Sequence, residues 1–336
     1  MVIIEDLIVS DYGAFVGLKG GRLRVQAAES PPVEAPLMHL RSVHILTRSA
    51  SFSAAALAAC CEAGIPVHFL DAVDGNYASV LSSKLTTVIV TRRCQLSAAG
   101  GPAGVPIARA LAAGKLRSQA VNLRYLARRQ ADETAAQLKD AAIELLAYSD
   151  QVMRTQADCV DDIRATVMGI EGYCSRLYWS VLGPLIPEPY AWSGRSGRHA
   201  TDATNMLLNY GYGILYGEVQ NALVIAGLEP YAGLIHTDRP GKPSLTCDLI
   251  EEFRAPIVDR TVIGLLNRGY EVKLDEHGRL ERDMRRGFAE HILSRLNAQG
   301  TVGSKRYILR SIIQMQARRL AAAFRGESEY ESYTGG

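Results

Sequence analysis

Along this chain the pattern of apolar and polar positions changes period once. Up to about residue 85 apolar residues come in short runs: Val2–Ile4, Leu7–Val9, Ala14–Leu18, Leu23–Gln26, Ser42–Thr47 and Ile65–Leu70. Runs of that length bounded by small and polar residues predict strands, and Lys19-Gly20-Gly21 predicts the turn of a hairpin. Between the last two runs, AAALAACCEAG predicts a short helix ended by Gly64. From about Val88 the spacing becomes helical. Helices are expected over Leu116–Gln130, Asp161–Leu182, Ala203–Ala226, Ser244–Asn267 with a break near Pro256, Gly287–Ala298 and Lys305–Phe324. Residues 184–202, rich in Pro, Gly, Ser and Arg, read as loop, and the tail GESEYESYTGG reads as disordered. The expected fold is α+β and multidomain: a small β-rich domain over 1–86, a larger all-α domain over 87–326, and a disordered tail over 327–336.

Composition narrows the class. With 48% hydrophobic and 21% charged residues the 336-residue chain can bury a core and is not a disordered polymer. The formal net charge of +2 does not mark a nucleic-acid binder, so such a function needs locally clustered charge. The six cysteines include the adjacent Cys60–Cys61 and no C-x-x-C pair, which points to reduced thiols and not to a zinc site or a disulfide frame. The first residues show no basic segment followed by an apolar run, and no stretch of eighteen uninterrupted apolar residues occurs. A cytoplasmic protein without a membrane span is expected. His44 and His68 fall inside strand patterns and read as core or edge histidines.

The chemistry concentrates in LIHTDRPGKPSLTCDLIEEFR, residues 234–254, where one histidine, a proline-broken basic loop and four carboxylates lie among apolar residues. Charge near a core is costly unless paired or coordinated, so this is either a helix with a wet edge or a cation site. Asp248 and Glu251 share one side of their helix at i, i+3, with Glu252 at i, i+4 from Asp248. His236 precedes a loop that can turn its ring back towards them. Upstream, Glu171 sits at the margin of an apolar stripe of Ile163, Val167, Ile170, Cys174, Leu177 and Val181, where it either snorkels to water or reaches into a cleft. Carboxylates with one imidazole suit Mg²⁺ or Mn²⁺, the imidazole favouring Mn²⁺, and few protein ligands leave room for water and phosphate oxygens. Basic residues surround these acids: Arg195, Arg198 and His199 in a Gly/Ser loop, and Lys242 and Arg254 flanking the acidic helix. Arg117, Arg124 and Arg128 share one helical face, and Lys305, Arg306, Arg310, Arg318 and Arg319 lie in the last helical segment. Such faces suit a phosphodiester backbone, although each alone also reads as a solvated helix surface.

Three ordered segments resemble the CRISPR-associated integrase-endonuclease family of the spacer-acquisition machinery. MGIEGYCSRLYW (Met168–Trp179) is close to the family's G-I-E-G-x-x-A-x-x-Y-[FW] element. RSGRHATDATNMLLNYGYGILYGEV (Arg195–Val219) is close to its arginine-rich loop and D-x-x-N-x-x-L-N-Y-G-Y. GLIHTDRPGKPSLTCDLIEEFRAPIVD (Gly233–Asp259) is close to its H…R…S-L-x-x-D-L-x-E-x-F-R-x-x-x-x-D run. Ala255 stands where many relatives have proline, and Glu251 where some have aspartate. The resemblance implies an N-terminal β-sandwich-like dimerisation domain and a helical catalytic domain. It also implies Mn²⁺ or Mg²⁺ ligands at Glu171, His236 and Glu251, with Asp248 as a supporting acid near the scissile phosphate. The implied partners are double-stranded DNA (donor spacer and CRISPR repeat), a second copy of the chain, and a dimer of a small ferredoxin-like protein.

The expected function is therefore a metal-dependent DNA endonuclease and integrase that inserts spacers by 3′-hydroxyl attack on a phosphodiester. Arg195, Arg198, Lys242, Arg254, Arg117, Arg124, Arg128 and Arg310 are the expected DNA contacts. No GxxxxGK[ST] loop occurs, consistent with an exchange of diesters that needs no nucleotide cofactor. The competing readings are a branched-DNA repair nuclease, a catalytically silent DNA-binding scaffold whose acids pair with arginines, and a small-molecule metallohydrolase. Tyr178, Tyr210 and Tyr212 read as packing residues first and stacking platforms second.

Overall fold

The computed structural model describes residues 4–28, 30–71, 75–82, 89–190, 192–197 and 200–335. The boundary expected at residues 86 and 87, most of the strand expected over Val2–Ile4, and the candidates Arg198 and His199 lie outside them.

The N-terminal part holds two small sheets. Strands β1 (Asp6–Val9), β5 (Ser42–Ile45), β7 (Val67–Asp71) and β8 (Gly75–Val80) form one, with β1, β5 and β7 parallel and β8 antiparallel to β7. Strands β2 (Phe15–Lys19), β3 (Arg22–Gln26), β4 (Val33–Pro36) and the two-residue β6 (Ser51–Phe52) form the other. Helix α1 (Ala54–Glu62) lies between β6 and β7 in the chain and is N-capped by Ser53. The β2–β3 turn needs left-handed backbone at both central positions, and Gly20 (φ 56°) and Gly21 (φ 71°) supply it. Leu7, Val9, Val16, Leu23, Val43 and Val67 join in one buried cluster between the sheets. Strand β5 is buried along its whole length, which explains its continuous SVHI run. β4, β6 and β8 carry Pro, Glu, Ser, Gly or Asn and escape the alternation rule.

The helical part comprises α2 (Ile89–Ala99), α3 (Gly104–Ala127), α4 (Asp132–Arg154), α5 (Val160–Leu182), α6 (Ala203–Ile225), α7 (Ser244–Phe253), α8 (Arg260–Leu266), α9 (Arg282–Leu296) and α10 (Leu309–Phe324). Helix α3 is its centre, packed on α4, α5 and α7 and buried on nearly every face. Between α7 and α8 the residues Arg254–Asp259 form a π-helical turn. Pro256 lacks the N–H that would bond back one α-turn, so the expected break is a local widening of the helix, not an end. Among the described residues no helix is long and apolar enough to cross a membrane.

Three expectations are corrected. Lys305–Ile308 is a strand, β10, paired antiparallel with β9 (Gln299–Val302), so Lys305 and Arg306 lie on a hairpin and not on α10. The alternation KRYI and Gly303 (φ 60°) explain why. The tail is ordered up to residue 335: Tyr330 and Tyr333 are buried, and Tyr333 stacks on Phe253 with centroids 5.5 Å apart. Two rings three residues apart bury enough surface to dock a segment whose other residues read as disordered. Arg310, expected on DNA, instead joins the two parts of the fold. It is buried between Asp6 (2.9 Å) and Glu218 (3.1 Å), and Ser42 Oγ donates to the same Asp6.

Candidate active site

Glu171 owes its place to the helix that carries it. Val160, Ile163, Val167, Ile170, Cys174, Tyr178 and Leu182 form the buried stripe of α5, and Glu171 stands at its edge with its side chain 19% exposed. The stripe ends on Tyr178 and Leu182, one position later than Leu177 and Val181, the expected residues. Glu171 thus reaches the groove between α5 and α3, where Lys115 of α3 donates to its Oε1.

The second part of the site is the bend before α7. Asp248 is fully buried and accepts four hydrogen bonds: from the backbone N–H groups of Leu234 (2.7 Å), Ile235 (3.2 Å) and His236 (3.0 Å), and from His236 Nδ1 (2.7 Å). A carboxylate is an acceptor only, so Nδ1 of His236 is the donor in this contact and Nε2 is the ring nitrogen not used by Asp248. The bend is tight. A Cβ at Gly233 would come within 2.8 Å of the Ser244 backbone, so glycine is required there.

Glu251 lies one turn beyond Asp248. Arg254 Nη1 (2.6 Å) and Lys115 Nζ (3.1 Å) both contact it. Burial alone would raise this carboxyl, but Arg254, Lys115 and, more weakly, His236 outweigh it and hold the pKa at about 2. Lys115 is correspondingly held above the ordinary lysine range: burial opposes its charge, and Glu251 and Glu171 overcome that. Two carboxylates from separate helices therefore share one buried ammonium.

A cavity of about 750 Å³ opens beside this cluster, lined among others by Lys115, Glu251, Arg254, Arg195, Arg176, Tyr212, Trp179 and Trp192. The two indole rings stand 5.5 Å apart. Arg254 and Arg195 cover the Tyr212 ring at 4.7 and 5.3 Å, a cation–π arrangement. Asn205 (3.0 Å) and Asn209 (2.7 Å) accept from Arg195 and aim its guanidinium. Behind them Asp259 accepts from Tyr178 (2.8 Å) and Tyr212 (2.5 Å). Burial pushes Asp259 up to about 6, against the pull of those two hydroxyls.

The candidate residues separate accordingly. Glu251, Arg195 and Arg254 line one cavity, Glu171 is joined to Glu251 through Lys115, and His236 is held on the Asp248 bend. Lys242 lies in the 239–242 turn before α7. Arg124 and Arg128 are exposed on α3 and its C-cap, and Arg117 pairs loosely with Asp150 (3.6 Å). The donors suit a hard divalent ion in kind: two carboxylates sharing a cation, and an imidazole anchored through Nδ1 on the bend before α7. Among the described residues, however, no three His, Cys, Asp or Glu side chains gather closely enough to hold a metal together. The ammonium of Lys115 stands between two of the expected ligands. Lys115, Arg176, Trp179 and Trp192 escaped the sequence reading of the site. Lys115 left one signal, a lone charge in the small apolar run ALAAGKL.

Residues 7–293 match the sequence profile of the family described as "CRISPR associated protein Cas1". The chain belongs to the Cas1 family. A curated relative from Archaeoglobus fulgidus, named CRISPR-associated endonuclease Cas1 1, is 33% identical over 97% of this chain and 98% of its own length. Among solved structures, a casposase bound to integration product superposes with a TM-score of 0.81 at 22% identity, over 98% of this chain and 93% of that one. A Cas6-RT-Cas1–Cas2 complex superposes with a TM-score of 0.76 at 22% identity, over 98% of this chain and 36% of that chain. These two likenesses speak for the Cas1 fold, the small β domain joined to a helical one.

Proposed function

We propose that this Cas1 is a metal-dependent DNA nuclease and integrase that joins a donor DNA end into a CRISPR repeat. The observation that carries the reading is the convergence of Glu171 and Glu251 on one cation, Lys115, which with Glu251 lines an arginine- and tryptophan-lined cavity. Glu171, His236 and Glu251 would hold Mn²⁺ or Mg²⁺, which supplies Lewis-acid polarisation of a phosphate oxygen. Asp248 acts through His236: by accepting from Nδ1 it fixes the tautomer, so that Nε2 is the nitrogen that would meet the ion, and orients the ring. Arg254 and Arg195, stacked over Tyr212, present guanidinium groups to the charge that grows on the equatorial phosphate oxygens. The 3′-hydroxyl of the donor attacks phosphorus, the target P–O3′ bond breaks, and the departing 3′-oxygen gains a proton as the attacking one loses its own. One diester replaces another, so no nucleotide cofactor is consumed. With water as nucleophile the same site hydrolyses DNA.

The exposed Arg124 and Arg128, together with Lys242 in its turn, supply backbone contacts that position the duplex without reading its sequence. The working assembly is a dimer of this chain with a small ferredoxin-like partner dimer; the Cas1–Cas2 likeness supports that reading. Strand transfer of a short duplex into supercoiled plasmid tests the site. Glu171→Ala, His236→Ala and Glu251→Ala are each expected to lose at least about a thousandfold in rate, with DNA retention in a mobility-shift assay kept. Full activity in any one retires that residue as a ligand.

A further inference from the structure

Lys115 is poorly explained as ordinary helix surface. It lies in the middle of α3, where Ala112, Ala113, Gly114 and Leu116 are all buried, and its own side chain is 10% exposed. Its ammonium is shared by two carboxylates, Glu171 and Glu251, from two other helices. Glu251 has a second cation in Arg254 at 2.6 Å. With Lys115 and Arg254 together, the two carboxylates are neutralised. A divalent ion added beside an unmoved ammonium would put four positive charges against two negative ones in a nearly dry space. The same lysine also lines the large cavity next to the acids, so its flexible stem has room to move without crossing packed protein.

We propose that Lys115 is a tethered competitor of the divalent ion, holding Glu171 and Glu251 together and swinging into the cavity when a metal takes its place. This rests on the metal-site reading above. Metal loading then delivers a positive charge into the cavity where the DNA phosphate is to lie, so metal and DNA backbone assist each other. The carboxylates stay drawn together in the interval, and the site avoids the repulsion of two bare acids. Lys115 is a positioning residue in this scheme.

Calorimetric titration of Mn²⁺ into the full chain tests it, with wild type, Lys115→Met, Lys115→Arg and Glu251→Gln compared. Lys115→Met is expected to bind Mn²⁺ at least about tenfold more tightly than wild type, Lys115→Arg to stay near wild type, and Glu251→Gln to lose binding. If Glu251→Gln loses binding but Lys115→Met is no tighter than wild type, or Lys115→Arg is as tight as Lys115→Met, the competition is overturned and the metal site stands. If Glu251→Gln binds as wild type does, the metal site itself falls and the proposal with it. A wild-type measurement avoids any folding defect of the variants. Reductive methylation followed by mass spectrometry should find Lys115 several-fold more reactive in saturating Mn²⁺ than in chelator, and equal or lower reactivity overturns the proposal.

Discussion

Glu251 and Glu252 are neighbours on α7, both buried, and the fold treats them in opposite ways. Glu251 faces the cavity and meets two cations, Arg254 and Lys115, which hold it ionised with a pKa of about 2. Glu252 faces the docked tail and meets mainly neutral donors: the Tyr330 hydroxyl (2.5 Å), the Tyr333 backbone N–H (2.8 Å) and the Gln316 amide (3.1 Å). Burial pushes Glu252 up to about 7, and those donors recover only part of the shift. Burial acts alike on both carboxyls. The partner decides, because a full charge repays desolvation of a carboxylate far better than a dipole does. One helix therefore carries an ionised acid on its cavity face and a readily neutralised one on the face that meets the tail.

The largest test of this contrast is pH. Glu252 has a folded pKa above its ordinary value of about 4.3, so the fold keeps a proton that the unfolded chain has already released. Its stabilising contribution is full below that value, falls as pH rises towards about 7 and is level above it. Asp259, raised to about 6, loses its contribution in the same direction over the lower part of that window. Urea unfolding of wild type is expected to show a loss from pH 5 to pH 8, of which Glu252 accounts for at most about 3 kcal/mol. Glu252→Gln should flatten that loss; an undiminished slope would show that Glu252 does not titrate there.

A smaller effect separates the charged face from its support. Asp248→Asn replaces the charged acceptor behind His236 with a neutral amide that holds the ring less firmly, and should lower strand transfer about 10- to 100-fold while DNA binding persists. Unchanged rates would mean that His236 is oriented without it. The smallest change is Tyr330→Phe. It takes one hydroxyl from Glu252 and should cost about 1 kcal/mol in thermal or urea unfolding, with strand transfer at neutral pH nearly unaltered. A large fall in activity would instead tie the tail to the chemical face.

Much of the helical half was legible because its geometry is local. The stripe on α5 placed Glu171 at a margin, the i, i+3 spacing put Asp248 and Glu251 on one side of α7, and the proline-broken loop made room for His236 to turn back. The tail was misread because its Ser, Glu and Gly composition masks two rings that find a dry face only after α3, α7 and α10 have assembled. Arg310 looked like a member of a basic helical face, but its two carboxylate partners come from β1 and α6.

Helical period, turn chemistry and motif spacing were thus set by the chain itself, since each depends on residues a few positions apart on a regular backbone. Apart from the local i, i+3 pair of Arg254 and Glu251, tertiary structure decided which cation meets which acid. Lys115 reaches Glu171 across 56 residues, Tyr330 reaches Glu252 across 78, and Arg310 reaches Glu218 across 92. Such pairings follow from how helices pack around a shared core, and side-chain spacing along one element carries no record of them.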